Sequence, residues 1–179
     1  MLRIIVPERE FYDNLTNRFY TTKETKLSLE HSLVSISKWE QKYKIPFISH
    51  ELTALEMLDY IRFMTITQNV DPLVYRALTR SNVQEIRDYM EDTMTATWFS
   101  NMPKQTPSGK AVTNELIYCW MFSLNIPKEC EKWHFNRLTT LIRVCSAEMY
   151  PPEKMSKSET AAYYAKLNAE RKKKWNTTG

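Results

Sequence analysis

Cys130 and His134 are the residues of this chain whose types and spacing come closest to reactive chemistry. They stand four positions apart in a stretch with helical spacing, which would place both side chains on one helix face. Such a pair could supply two zinc ligands, or a thiol nucleophile with a histidine base. Zinc needs four ligands and a catalytic pair needs a third, orienting group, and the sequence supplies neither. We therefore predict no catalytic residue and no metal site.

A second motif, Lys154-Met-Ser-Lys-Ser158, matches the mobile-loop signature of class I aminoacyl-tRNA synthetases. That chemistry also needs a Rossmann fold, glycine-rich strand ends and a companion His-x-x-His motif. The chain has only two glycines, Gly109 and Gly179, and no such histidine pair. We interpret Ser156 and Glu159 instead as the capping box of a helix. The same lack of glycine excludes a P-loop and a dinucleotide fingerprint, so we predict no cofactor and no enzyme.

The composition predicts a mainly α fold. The 179 residues are 42% hydrophobic, enough to fill one core. Scarce glycine makes turns with positive φ rare, which disfavours a fold with many β-turns. We predict a compact multi-helix bundle with a small N-terminal β-hairpin and a basic C-terminal helix.

Hydrophobic periodicity places these elements along the chain. Residues 2–6 are β-branched and should pair with the alternating stretch 21–29, giving short strands within residues 1–29. Helical spacing covers residues 28–46, 53–68, 71–78, 82–91, 113–125 and 127–145. The stretch 113–125 is apolar almost all round, which predicts the central buried helix. Residues 94–99 favour strand or loop, and residues 103–109 favour a loop.

Cysteine usage and hydropathy predict the compartment. The three cysteines are an odd number and no secretory leader precedes them, which favours reduced thiols in a cytosolic setting. No apolar run approaches the roughly 18 residues that a membrane span needs. We expect a soluble protein.

Charge is concentrated at the C-terminal end. Residues 154–179 hold seven basic and two acidic residues, a net charge of +5, which leaves −1 for residues 1–153 out of the total of +4. We predict a single helical domain over residues 1–153 and a basic helical tail over residues 154–179. A charged end on a neutral body is typical of a protein that docks to a partner. The predicted partner-binding residues are Lys166, Arg171, Lys172, Lys173, Lys174 and Trp175.

Several stretches, in order along most of the chain, resemble a protein of long-tailed bacteriophages, the tail assembly chaperone family. The resemblance is carried by Lys26-Leu-Ser-Leu-Glu-His-Ser-Leu33 with Lys38-Trp-Glu40, Met64-Thr-Ile-Thr-Gln-Asn-Val-Asp-Pro72, Met94-Thr-Ala-Thr-Trp-Phe-Ser100, Trp133-His-Phe-Asn-Arg-Leu138 with Arg143-Val-Cys145, and Lys154-Met-Ser-Lys157 with Leu167-Asn-Ala-Glu-Arg-Lys172. None of these stretches is a catalytic signature.

The resemblance implies a factor of the host cell cytoplasm that keeps the long, helical tape measure protein soluble while tail-tube protein polymerises around it. It implies no cofactor, and it leaves self-association open. Two alternatives remain. The chain could be a structural virion component, such as a connector or tail-completion protein, or a nucleic-acid-binding protein that uses its basic end and Trp175.

Overall fold

A computed structural model describes residues 1–13, 17–97, 111–149, 161, 163–165, 167–169 and 171 of the chain. The chain divides into two compact units, Met1–Cys145 and Ser146–Gly179. In the second unit, the described residues between 161 and 171 are helical. The predicted domain boundary after residue 153, the capping box of Ser156 and Glu159, and the predicted loop 103–109 lie outside the described residues.

A long β-hairpin with one interruption begins the first unit. Strand β1 (Leu2–Val6) pairs antiparallel with β4 (Thr25–Leu29), and β2 (Arg9–Asp13) pairs antiparallel with β3 (Arg18–Thr22). Pro7 lies between β1 and β2, where its missing N–H removes a donor from the ladder. The hairpin is therefore divided into two sheets of two strands each.

The base of this hairpin, formed by β1 and β4, belongs to the core. Side chains alternate along it, so that Ile4 and Val6 on β1 and Leu27 and Leu29 on β4 are buried. The opposite face of β1 is exposed to solvent, as Ile5 shows. This one-sided pattern is typical of an antiparallel sheet that packs on a core with one face.

Contacts from elsewhere in the chain cover both outer edges of the base sheet. Along β4, the Ile66 N–H donates to the Ser28 carbonyl at 2.8 Å. Along β1, Asn82 Nδ2 donates to the Ile5 carbonyl at 3.1 Å. Because open strand edges invite pairing with other chains, these contacts protect the base of the hairpin.

The prediction of a mainly α bundle is wrong. The described residues hold two two-stranded antiparallel sheets, and one of them supplies core residues. The N-terminal hairpin within residues 1–29 is present as predicted. Scarce glycine does not limit turns as expected, because Asn17, Asn69 and Asn125 adopt positive φ of 50°, 56° and 53°. Asparagine tolerates this region because its short side chain hydrogen-bonds locally.

The described residues also form five α-helices: α1 (Leu33–Tyr43), α2 (Ala54–Met64), α3 (Arg80–Glu91), α4 (Asn114–Ser123) and α5 (Phe135–Met149). Short 3₁₀ turns lie at Phe47–Ser49, Pro72–Ala77 and Lys128–Lys132. Capping boxes begin the first three helices, with Ser32 at α1, Thr53 at α2 and Thr79 at α3. In each box the cap side chain accepts from the N–H of the third helical residue, whose side chain accepts in turn from the N–H of the cap. Within the described ranges, no helix has both the length and the apolar character for crossing a membrane.

The helix boundaries differ from the prediction where contacts with other parts of the chain compete with helical hydrogen bonds. The stretch 53–68 is helical only to Met64, because the residues after it hydrogen-bond with β4. The stretch 127–145 is not one helix but a 3₁₀ turn followed by α5, with a break at Trp133 and His134. Asn82 is the third residue of α3 rather than its cap, and residues 94–97 form no strand.

The two faces of β1 allow a matched test of the hairpin's place in the core. Ile4→Ala is expected to lower the free energy of unfolding by about 2–4 kcal/mol, because the removed side chain is only 3% exposed and leaves a cavity. Ile5→Ala is the control, since that side chain is 52% exposed, and it should cost less than about 1 kcal/mol. Urea denaturation measures both. Equal losses would contradict the described orientation of β1.

Candidate functional site

The predicted basic partner-binding segment lies mostly outside the described residues. Lys166, Lys172, Lys173, Lys174 and Trp175 are among those not described. Arg171 is described, and it is helical and exposed. The partner-binding role of this segment stays a prediction.

Nearby on the same helical stretch, Tyr163 and Tyr164 are more than half exposed. Their rings contact each other edge to face, with centroids 5.7 Å apart. Two exposed aromatic rings therefore accompany the exposed Arg171 on this stretch.

Cys130 and His134 do not share a helix, so the geometry that made them a candidate pair is absent. Cys130 lies in the 3₁₀ turn before Trp133, and His134 lies just before α5. Burial, helped by neighbouring Glu129, raises the pKa of the Cys130 thiol, which disfavours the reactive thiolate. In the part of the chain that the structure describes, no group of three or more histidine, cysteine or acidic side chains is placed to hold a metal ion.

His134 has both ring nitrogens engaged. Nε2 lies 2.9 Å from the Tyr89 carbonyl, and Nδ1 lies 3.3 Å from the Asn136 N–H. The first contact requires a donor and the second an acceptor, which is one neutral tautomer. Burial lowers the pKa of His134, in agreement with a neutral ring. Its role is to join α3 to the start of α5.

His31 lies beside His134 in the most buried polar network of the domain. Its Nδ1 is 2.5 Å from the Tyr60 hydroxyl, which also lies 3.2 Å from Ser35 Oγ. The two histidine rings meet edge to face with centroids 5.2 Å apart. Burial, reinforced by His134, lowers the pKa of His31 to about 3, and burial raises the pKa of Tyr60. Near neutral pH the His31 ring is therefore neutral and the Tyr60 hydroxyl keeps its proton.

A buried carboxylate connects α1 to α4. Glu40 is 7% exposed and accepts three hydrogen bonds. Its Oε1 accepts from the Phe47 N–H at 2.8 Å, and its Oε2 accepts from the N–H of Asn114 at 2.8 Å and from the Asn114 side-chain amide. A negative charge at the first residue of α4 also meets the positive end of the helix dipole. Glu40 therefore fixes where α4 begins.

The solvent side of α4 is mainly apolar. The residues on this side form a continuous arc around the helix, and we call them the α4 outer face: Glu115, Leu116, Cys119, Trp120, Phe122 and Ser123. All are exposed except Leu116, which is partly buried. Phe122 is 60% exposed and Trp120 is 38% exposed. Only Glu115 carries a charge.

The prediction that residues 113–125 form the central buried helix is wrong. Only Asn114, Ile117 and Met121 of α4 are buried. A helix that is apolar all round fits either a buried position or a surface position with an uncovered apolar side, and periodicity does not distinguish the two. The sequence did carry one sign of this surface, since the stretch has no strongly polar side that could face solvent.

The solvent side of helix α3 contrasts with the α4 outer face. Every exposed position of α3 is polar or charged: Arg80, Ser81, Gln84, Glu85, Arg87, Asp88 and Glu91. The two helices have similar lengths, yet their solvent sides have opposite character. Isolated exposed apolar residues are normal, and a contiguous set on one helix is a candidate interaction surface.

Two further surfaces are weaker candidates. Tyr12 and Phe19 are exposed on the outer part of the hairpin, but their rings cover each other with centroids 4.8 Å apart. An open cleft of about 340 Å³ lies between the hairpin and residues 67–74. Three of its polar lining groups already bond to the backbone: Thr22 Oγ1, Thr67 Oγ1 and Asp71 Oδ1. The α4 outer face is therefore the best candidate site.

Acidification should destabilise the fold through His31. A histidine held neutral in the folded state gains its proton only on unfolding, so stability is complete above the ordinary pKa of 6.5 and falls as the pH drops below it, toward about pH 3. Between pH 7.5 and 5.5, His31 should account for a loss of about 1 kcal/mol. Urea denaturation at the two pH values measures it.

The variant His31→Asn should reduce this pH dependence to the part that His134 and other groups contribute, because it removes the His31 ring and keeps a polar group near Tyr60. The control is His50→Asn, which changes a half-buried ring paired with Glu56 at 3.1 Å, and it should retain the wild-type dependence. An unchanged slope in His31→Asn would assign the acid sensitivity to other groups.

Comparison with known proteins does not extend these observations. No protein-family model matches the chain, and neither a curated protein nor a solved structure matches it.

Proposed function

We propose that the chain is a non-enzymatic bacteriophage tail assembly chaperone, which binds the tape measure protein and assists tail-tube polymerisation in the host cytoplasm. The α4 outer face is the observation that carries this proposal. It is an apolar surface on a helix whose start is fixed by Glu40. A chaperone needs such a surface, because it must replace water on the apolar side of its client until assembly.

The family resemblance supplies the identity of the client, and α4 supplies a means of holding it. A long helical client presents apolar stripes that remain uncovered until the tail tube encloses it. Helix-in-groove contacts cover such stripes with apolar residues of the binding protein. The basic C-terminal segment would add attraction to acidic regions of the same client.

The buried polar groups support a role without catalysis. His31 and Tyr60 are bonded to each other, and burial moves the pKa of each away from neutral pH. Glu40 has its carboxylate occupied by backbone and amide donors. These groups serve packing and connection between helices.

Co-expression tests the chaperone role. Tape measure protein expressed in bacteria with this chain is expected to show a several-fold larger soluble fraction than when expressed alone, because its apolar stripes are covered. Centrifugation and gel densitometry measure the fraction, and an unrelated soluble protein of similar size is the control. No gain in solubility would contradict the chaperone role. Mass spectrometry of purified virions gives a second check, since stoichiometric retention would indicate the structural alternative.

Truncation tests the basic segment. Removing residues 171–175 is expected to weaken the pull-down of tape measure protein several-fold, since it removes four of the seven positive charges of residues 154–179. Removing residues 176–179, which carry no charged side chain, is the control and should leave the pull-down unchanged. Circular dichroism should show both proteins folded. Equal pull-down by the two truncations would exclude a role for the basic residues.

A further inference from the structure

Helical geometry sets how large and small side chains are arranged on the α4 outer face. Cys119 and Ser123 are one turn apart and form its middle line. Phe122 projects on one flank of this line and Trp120 on the other. Small residues between larger ones form a groove in which the ridge of another helix can lie.

The exposed area limits what can occupy this groove. With aromatic side chains of about 150–250 Å² each, the exposed fractions of Trp120 and Phe122 give roughly 200 Å². Helix α4 has ten residues and is therefore about 15 Å long. A stable dimer buries about 800 Å² on each partner. These two aromatic side chains expose about a quarter of that area, which favours a single helix in a reversible contact over a second copy of this chain.

The charge on the α4 outer face favours some partner helices over others. Glu115 is the only charged residue of the α4 outer face, and it lies at the N-terminal end. Its own backbone N–H, then the Thr113 side chain, lower the pKa of Glu115, so it stays ionised at neutral pH. An approaching helix thus meets an apolar groove with one fixed negative charge at one end. A basic residue at that point is favoured over an acidic one.

We propose that the α4 outer face binds one amphipathic α-helix of the client, with an apolar stripe that lies along the Cys119–Ser123 line and a basic residue that meets Glu115. This inference rests on the proposed function and specifies its partner. The apolar stripe of such a helix follows an i, i+3, i+4, i+7 pattern. The small contact area makes binding reversible, which a chaperone needs when it gives its client to the assembling tube.

Synthetic peptides test this partner directly. The probe is a fluorescein-labelled 20-residue amphipathic helix with leucine in that pattern and lysine near both ends. The comparison peptides carry glutamate in place of the lysines, or contain the same residues in an order without a stripe. Fluorescence anisotropy with the full chain should rank affinity with the lysine peptide first and the stripeless peptide last. Equal affinity for all three would contradict the proposal.

Two substitutions on α4 test whether the lysine peptide binds at the α4 outer face. Phe122→Ser removes one wall of the groove and should weaken binding of the lysine peptide about tenfold. Cys119→Trp fills the groove and should weaken binding similarly, although it adds apolar surface. The matched control is Leu55→Ser, which removes a 77% exposed apolar residue on α2 and should change affinity less than twofold. Wild-type affinity in either folded α4 variant would place the helix elsewhere.

Charge reversal tests the orientation. Glu115→Lys should weaken binding of the lysine peptide and strengthen binding of the glutamate peptide, each by about two- to fivefold, in line with exposed ion pairs. Sedimentation of the free chain is the complementary measurement. A wild-type dimer that Phe122→Ser converts to monomer would identify a second copy as the occupant and overturn the proposal.

The chaperone function and the helix-binding site are separable by experiment. If the chain keeps tape measure protein soluble while both α4 variants bind peptide like the wild type, the chaperone function stands and this site is wrong. If the peptides bind as expected while solubility does not improve, the helix-binding site stands and the client is wrong.

Discussion

The hydrogen bonds of Glu40 are the constraint on which the candidate site depends. Helix α4 contributes only Ile117 and Met121 as buried apolar side chains, which is little burial for holding a ten-residue helix in place. Glu40 compensates by bonding both the backbone and the side chain of Asn114. Because a buried carboxylate without partners is very costly, this connection strongly favours one position for the start of α4.

This arrangement explains how α4 displays apolar residues without losing its position. A helix fixed by core packing alone would turn its most apolar side inward. Helix α4 has no strongly polar side to turn outward, so the position of Asn114 sets which residues face solvent. Phe122 and Trp120 thus remain exposed, at a cost in solubility that a binding partner would remove. The charged solvent side of α3 shows that a helix of this domain can also present an entirely polar solvent side.

The sequence predicted the elements with strong local signals. The base-sheet strands β1 and β4, the capping box at Thr53 and most helical stretches follow from alternation, 3.6-residue spacing and caps. It did not predict the fold class, because the pairing of β2 with β3 was missed and because Asn17 supplies, without glycine, the positive φ just before β3. It also missed the candidate site, since Glu40 and Asn114 are 74 positions apart and nothing local pairs them. Long-range hydrogen bonds of this kind produce no periodic pattern in the sequence.

The two elements assigned to partner binding would respond to salt in opposite ways. Contacts of the basic C-terminal segment, including Arg171, weaken as ionic strength rises, because screening shortens the range of charge attraction. Contacts of the α4 outer face are mainly apolar, and sulfate or phosphate salts strengthen the burial of apolar surface. The charged segment thus suits the first encounter with a client at a distance. The α4 outer face suits the short-range contact that covers an apolar stripe.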